Sequence, residues 1–568
     1  MTAEEIRKII IGAVAKNGGH LASSLGAVEI AKALSEVFDP YVDRIIWDVG
    51  HQAYAWKILT DRAEKFDTIR SLGGVSPFSN PLESKADAAI AGHAGVALSI
   101  AEGYAAARDL KGTKEHVVAV IGDSSIVNGT SFEALNFCDS EKRKVILVLN
   151  DNEMSISKPT GAISKFLGRL ITGVKYNRIK TAAENAGHKL KLTFLRDIYH
   201  RWESRVKSLF LGSSFFERFG LRYIGPVDGH DLEALKEAFT VAKEDKRSVL
   251  VHVVTKKGYG YKPAEMNPTK WHGVGAFDPE QKAVKGAKTE DWSAAFGEII
   301  SEEARQDKRI VALTAAMKDG TGLVDFAKEF PERFFDVGIA EGHMVAFAAG
   351  LAQGGLKPVV AIYSTFLQRA VDQVMHDLAI ARVPVVIAVD RAGVVGNDGK
   401  THQGLYDIAM LKCLPNVKIV QPKDKEDLRA LIKEALRYEG PTVIRYPRGK
   451  VPLETIEVHE DENAKLQIWA TGDQIPKANE IAASIKAGVV FARTIKPFDA
   501  ERLAAQRKAG KTIVSIENGS IIGGFGELIG ADKRFGWPDE YIPHGSQAEL
   551  EIKYSFSAEQ ITEELRNG

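Results

Sequence analysis

The sequence predicts an α/β protein of three domains, each with a mainly parallel sheet flanked by helices. Short runs rich in Val and Ile, each ending in a polar or Gly cluster, alternate with amphipathic stretches of helical period, the pattern of buried parallel strands and their crossover helices. The 568 residues exceed what one core holds, since domains run to roughly 100–200 residues. Apolar residues at 45% and charged residues at 26% are globular usage and exclude disordered and collagenous classes.

In chain order the first block carries runs at 117–121 before Gly-Asp-Ser-Ser, at 145–149 before Asn-Asp-Asn and at 249–254 before Thr-Lys-Lys-Gly. The second repeats the arrangement at 310–313, 359–362, 383–389 and 443–446, and the third at 488–492 and 512–516. The polar stretch 278–290 and the acidic stretch 457–465 punctuate the chain, which predicts domains over 1–285, 286–457 and 458–568. A basic stretch, 158–216, is helical in pattern without a strand signal and reads as an insertion in the first domain.

Lys plus Arg and Asp plus Glu number 75 each. With no global field, neither nucleic acid nor a membrane is an expected partner, and any anionic ligand must be held by a local cluster. Cys138 and Cys413 are too few for a disulfide framework and fit no metal knuckle, which predicts a reduced, cytoplasmic location. The opening residues show no secretory leader. The run 383–389 is far below the roughly 18 apolar residues that span a bilayer.

In open parallel sheets ligands bind beyond the carboxyl ends of the strands. Asp123, within Gly122-Asp123-Ser124-Ser125, and Asn152 each follow a predicted strand, one strand-helix-strand unit apart. A carboxylate and an amide oxygen suit the hard oxygen shell of Mg²⁺. Asp, Ser and Asn also cap helices and close turns, so the pair alone leaves both readings open.

Further clusters follow in order: Gly19-His20-Leu21-Ala22-Ser23-Ser24, Asp48-Val49-Gly50-His51-Gln52, Val227-Asp228-Gly229-His230, Ala340-Glu341-Gly342-His343, Tyr363-Ser364-Thr365-Phe366, Asp390-Arg391-Ala392-Gly393, Thr401-His402-Gln403-Gly404 and Arg445-Tyr446-Pro447-Arg448. On this ordered set the chain resembles the thiamine-diphosphate-dependent transketolase superfamily and, within it, the 1-deoxy-D-xylulose-5-phosphate synthase family. The resemblance spans nearly the whole chain. It implies a transketolase-like thiamine-diphosphate-binding fold in a homodimer, with a diphosphate/Mg-binding first domain and a pyrimidine-binding second domain.

The resemblance implies condensation of pyruvate with D-glyceraldehyde 3-phosphate and release of CO₂. A transketolase-like two-carbon transfer, or a non-catalytic paralogue that binds phosphorylated metabolites, are the alternatives. By position, Asp123, Asn152 and the carbonyl of Met154 match the Mg²⁺ ligands. Gly122, Ser124, Ser125, His51, His93 and Lys257 match cofactor contacts, as do Glu341 and Phe366 at the pyrimidine. His20, His402 and His272 match catalytic histidines, with Glu341 as the essential acid. Tyr363, Arg369, Arg391, Asp398 and Arg448 match the substrate pocket.

The chain departs from the family pattern at Ser124, where Gly is usual, at Ala94–Ala97, where hydroxyl-rich residues are usual, and at Trp56 and Gly342, where His and Gln are usual. These departures remove polar contacts and spare the metal pair, Glu341, the central histidines and the arginines, which predicts altered cofactor affinity rather than lost chemistry.

Overall fold

The apolar runs become buried strands for the reason their continuity suggests: both faces of each sheet are covered. The computed structural model describes residues 1–141, 143–152, 213–279 and 290–567. The predicted insertion 158–216 lies outside the described residues, apart from 213–216 at the start of the helix Ser213–Glu217.

The first sheet contains β1 (Arg44–Trp47), β2 (Val117–Gly122), β3 (Ile146–Asp151), β4 (Arg222–Asp228) and β5 (Val249–Val254), all parallel, in the order β1-β2-β3-β5-β4. Alternate side chains face opposite layers. Val118, Val120, Val148 and Val251 pack in one core with the helices Ala3–Asn17, Val28–Val37 and Leu232–Glu244. Val117, Ala119, Leu147 and Leu250 pack in the other with Ala97–Lys111 and Gly129–Glu141.

The second sheet contains β6 (Ile310–Thr314), β7 (Phe334–Asp336), β8 (Lys357–Tyr363), β9 (Val386–Asp390), β10 (Lys418–Val420) and β11 (Thr442–Arg445). The third contains β12 (Leu466–Ala470), β13 (Gly488–Phe491), β15 (Thr512–Ser520) and β16 (Lys533–Trp537), in the order β13-β12-β15-β16. The short strand β14 (Thr494–Lys496) leaves that region to pair antiparallel with β10, which gives the second sheet the order β14-β10-β11-β9-β8-β6-β7. Every other pairing of these strands is parallel.

The chain divides into two compact units, Met1–Ile69 with Gly74–Lys285, and Arg70–Gly73 with Gly286–Gly568. Residues 70–73 are thus flanked in sequence by the first unit and packed in the second. No helix among the described residues is long and apolar enough to cross a membrane.

One buried acid in β15 makes stability depend on pH. Glu517 is fully buried and accepts N–H bonds from Phe525 (2.6 Å) and Gly526 (2.8 Å). Burial pushes its carboxyl up to about 7, against those donors and Arg445. A raised folded-state value means the folded chain holds a proton that the unfolded chain has released, so the contribution is full below about pH 4.5 and is lost as pH rises through about 7. It amounts to roughly 3 kcal/mol at most. Denaturant unfolding measured from pH 5 to 8 should therefore fall less steeply with pH in Glu517→Gln than in the parent; equal slopes would refute the assignment.

Candidate active site

Strand β1 delivers Asp48, and the chain then turns through Val49 at φ 61°, a left-handed conformation that a β-branched residue rarely adopts. Such strain costs about 1–3 kcal/mol and clusters at functional sites. The buried Asp48 carboxylate accepts the N–H groups of Gly95 (2.8 Å), Val96 (3.0 Å) and Ala97 (3.0 Å), which fixes the start of the helix Ala97–Lys111. In the hydroxyl-poor segment Ala94–Ala97, the last three residues therefore give their backbone donors to Asp48. Gly95 is needed there: its φ is +87°, and a Cβ would lie 2.5 Å from Asn128 Oδ1. Half-buried His93 precedes this turn. Trp56 belongs to the core, with its indole N–H donated to the Ala86 carbonyl (3.1 Å).

Asp123 leaves β2 with its N–H donated to the Asn150 carbonyl (3.3 Å). Asn150 ties the strand ends together, donating to Gln52 Oε1 (3.0 Å) and accepting from Thr255 Oγ1 (2.6 Å). Beneath them Asp151 meets His252 Nε2 (3.1 Å), whose Nδ1 faces the Tyr223 hydroxyl (2.8 Å). Burial first, then the charge of Asp151, pushes the Asp123 carboxyl up to about 7. Burial pulls the Lys257 ammonium down to about 8, against the attraction of Asp123. Asn152 follows β3, next to β2, and Met154 lies outside the described residues.

Three imidazoles cluster in the same unit. Ring centroids are 6.2 Å apart for His20 and His51 and 5.7 Å apart for His272 with each of them. Burial, then Lys257, brings His51 down to about 3. The same two causes, followed by the other two histidines, hold His272 well below its ordinary range. Ser23 Oγ stands 3.0 Å from His272 Nδ1.

This end fits a magnesium-bound diphosphate. His51 Nδ1 and Ser124 Oγ are buried and, among the described residues, have no hydrogen-bond partner, an expensive state that an oxygen-rich ligand relieves. Gly122 leaves open room, a Cβ there meeting nothing nearer than Gln52 Nε2 at 3.9 Å. Among the described residues no three His, Cys, Asp or Glu are grouped to hold a metal. A cation held here would have Asp123 and an amide oxygen and would need its remaining ligands from phosphate and water, as Mg²⁺ commonly does.

In the second unit Glu341 opens the helix Glu341–Gln353 and is buried. Burial raises its carboxyl against the pull of Arg369, whose Nη1 is 3.9 Å away. A carboxyl biased toward its protonated form suits donation to a pyrimidine nitrogen. At Gly342 a Cβ would sit 2.9 Å from Gln373 Oε1.

Tyr363 ends β8 and stacks with Phe366 at 5.7 Å; Phe366 meets His402 edge-on at 5.6 Å. Thr365 Oγ1 donates to the Thr401 carbonyl (2.8 Å), and Thr401 Oγ1 stands 3.0 Å from His402 Nδ1. Arg391 follows β9 with its guanidinium 3.9 Å from the Tyr363 ring centroid. Asp398 takes Arg448 Nη1 on one oxygen (3.2 Å) and Arg70 Nη2 on the other (2.5 Å). Two guanidiniums share the Asp398 carboxylate and a third, that of Arg391, lies on Tyr363, a set of planar donors suited to a phosphate.

Arg70 has no motif that marks it in the sequence, and only the fold brings it to Asp398. Its φ is 69° and that of Arg391 is 59°, so two of the three arginines are held in left-handed backbone.

Residues 288–454 match the transketolase pyrimidine-binding domain and residues 455–561 the transketolase C-terminal domain. With the site above, this defines a thiamine-diphosphate-dependent enzyme of transketolase type. Residues 1–255 match the family model for 1-deoxy-D-xylulose-5-phosphate synthase. Synthases of that name from Natranaerobius thermophilus and Aquifex aeolicus are each 44% identical over 100% of this chain and 94% of their own length. A 1-deoxy-D-xylulose-5-phosphate synthase 2 from Geobacter sulfurreducens is 44% identical over 99% of this chain and 95% of its own. The chain belongs to the 1-deoxy-D-xylulose-5-phosphate synthase family.

Proposed function

We propose that the chain condenses pyruvate with D-glyceraldehyde 3-phosphate, releasing CO₂, to give 1-deoxy-D-xylulose 5-phosphate, a precursor of isoprenoids, thiamine and pyridoxal. The observation that carries this reading is the arginine cluster around Asp398, in a chain so closely related to synthases of that name. The active form is a cytoplasmic homodimer, with domain boundaries after residues 285 and 457.

In this reading Asp123, Asn152 and the Met154 carbonyl hold Mg²⁺. Gly122, Ser124, Ser125, His51, His93 and Lys257 hold the diphosphate, and Glu341 and Phe366 hold the pyrimidine. Bound thiamine diphosphate supplies the nucleophilic carbon and the electron sink for decarboxylation. The chain's own work is binding and proton transfer. Pyruvate and the aldehyde phosphate together carry one more negative charge than the ketose phosphate and CO₂, so one proton is taken up and appears on the new hydroxyl. His20, His272 and His402 hold or move protons at the substrate oxygens; the low value of His272 keeps that imidazole neutral at physiological pH, able both to accept and to donate. Arg70, Arg391 and Arg448 grip the phosphate, Tyr363 fixing the plane of Arg391 and Asp398 fixing the other two. Arg369 lies beside Glu341 at the edge of the pocket.

The test is purified protein with thiamine diphosphate, Mg²⁺, carboxyl-labelled pyruvate and D-glyceraldehyde 3-phosphate. Labelled CO₂ together with the five-carbon 1-deoxyketose phosphate is the expected result; no CO₂ release overturns the reading. Arg70→Ala should raise KM for the phosphorylated aldehyde roughly 10- to 100-fold, the value of one charge-assisted hydrogen bond. KM for unphosphorylated D-glyceraldehyde should stay unchanged, and a matched rise would reduce Arg70 to a loop anchor.

A further inference from the structure

The motif Asp228-Gly229-His230 lies at the end of β4, and none of the roles above uses it. Its half-buried histidine joins the loop after β5 to the helix Val28–Val37. The backbone N–H of Lys256 donates to His230 Nε2 at 2.8 Å. An Nε2 that accepts carries no proton, so Nδ1 holds it and donates to Glu29 Oε2, 3.2 Å away. Glu29 is buried on the helix Val28–Val37 and is itself fixed by Arg7 Nη2 at 2.6 Å. The His230 ring lies flat on Tyr259, centroids 3.7 Å apart and planes 16° apart. Arg7 closes the circuit: its Nε donates to the Tyr259 carbonyl at 3.0 Å, and its guanidinium lies 4.9 Å from the Tyr259 ring centroid.

The next anchor is two residues on. Gly258 N–H donates to the Ala22 carbonyl (2.7 Å), on the short helix Leu21–Gly26 that follows His20. Lys257 is thus pinned between a bond at Lys256 and a bond at Gly258, with its side chain buried toward Asp123, His51 and His272. Lysine loses much rotamer freedom when ordered, and a long flexible stem reaches one point in space only if its backbone is fixed.

We propose that Arg7, Glu29 and His230 form a positioning relay that sets the backbone at Lys256, so that the Lys257 ammonium is preplaced for the diphosphate of the cofactor. The proposal rests on the reading that Lys257 serves the cofactor. His230 is a positioning residue: it holds a backbone amide and touches no reacting atom.

The variant His230→Phe keeps the ring on Tyr259 and removes both nitrogens. The cofactor-free protein is treated with an amine-acylating reagent, and modification of Lys257 is followed by peptide mass spectrometry, with Lys8 as the exposed reference. Thiamine diphosphate affinity is then measured at saturating Mg²⁺ by calorimetry. In His230→Phe, Lys257 should acylate several-fold faster relative to Lys8 and cofactor affinity should fall tenfold or more. The kcat at saturating cofactor should stay within about threefold of the parent, a split that general loosening of the fold would not produce. Conversely, His230→Gln, whose amide oxygen can accept at the Nε2 position, should recover most of the affinity. If His230→Phe does not fold, Glu29→Gln breaks the same relay more gently and is read the same way. Unchanged Lys257 acylation overturns the relay; faster acylation with unchanged cofactor affinity overturns the role of Lys257 at the cofactor and leaves the assignment of the reaction standing.

Discussion

Glu341→Gln should fold normally, bind thiamine diphosphate, and lose turnover by about 10²- to 10⁴-fold, the range that a positioned acid or base contributes. The substitution is close to isosteric and keeps a hydrogen-bonding group on the first residue of the helix Glu341–Gln353. What it removes is an ionisable carboxyl in a buried setting, with Arg369 at 3.9 Å its one ion-pair partner among the described residues. Because burial raises this carboxyl, its contribution to folding is lost as pH rises, and the amide escapes that loss. The variant should be at least as stable as the parent at pH 8 without cofactor. Single-turnover rates with preloaded cofactor, read beside thermal unfolding, check both halves; turnover within threefold of the parent would remove Glu341 from the chemistry.

Asp123→Asn should abolish Mg²⁺-dependent cofactor binding. Asp123 is a buried carboxyl under the charge of a second one, Asp151, and near a desolvated Lys257 ammonium. A divalent cation resolves that arrangement by pairing with the charge that burial and Asp151 oppose. Truncating one partner of a buried charge pair costs about 2–5 kcal/mol, which is roughly 30-fold to several-thousand-fold in affinity. The cofactor-free variant should be no less stable than the parent at neutral pH, since a neutral amide is cheaper to bury. Titration calorimetry of thiamine diphosphate with and without Mg²⁺ gives the answer. A variant whose cofactor affinity still rises tenfold or more with Mg²⁺ would place the cation elsewhere.

The strands that were legible in the sequence are the ones covered on both faces. The runs at 117–121 and 310–313 had no polar residue to break them and 249–254 had His252 alone, and all three are core strands. Strands with a mixed environment left little signal. β4 carries Gly225-Pro226 and shifts register between Ile224 and Val227; β7 and β10 are three residues long. Strand ends were legible where Asp, Asn and Arg clusters interrupt apolar runs, as at Asp123, Asp390-Arg391 and Arg445–Arg448, whereas Glu341 follows no such run and was marked by the family resemblance alone. Arg70 and the Arg7–Glu29–His230 circuit were not, because their meaning lies in partners 22 to 328 positions away. The same holds for Ala94–Ala97, where lost hydroxyls looked like lost contacts until Asp48 proved to take the backbone amides.

The four residues Arg70–Gly73 bear on how this chain can be taken apart. A second half cut from the chain after residue 285 would begin beyond them. It would carry Asp398 with Arg448 but lack the guanidinium on the carboxylate's other oxygen, and Leu72 would no longer stand against Gly545. The separable piece is therefore not a contiguous stretch of sequence. Any split or permuted version of this chain has to return residues 70–73 to the later half, as a loop carried over or as a peptide added back.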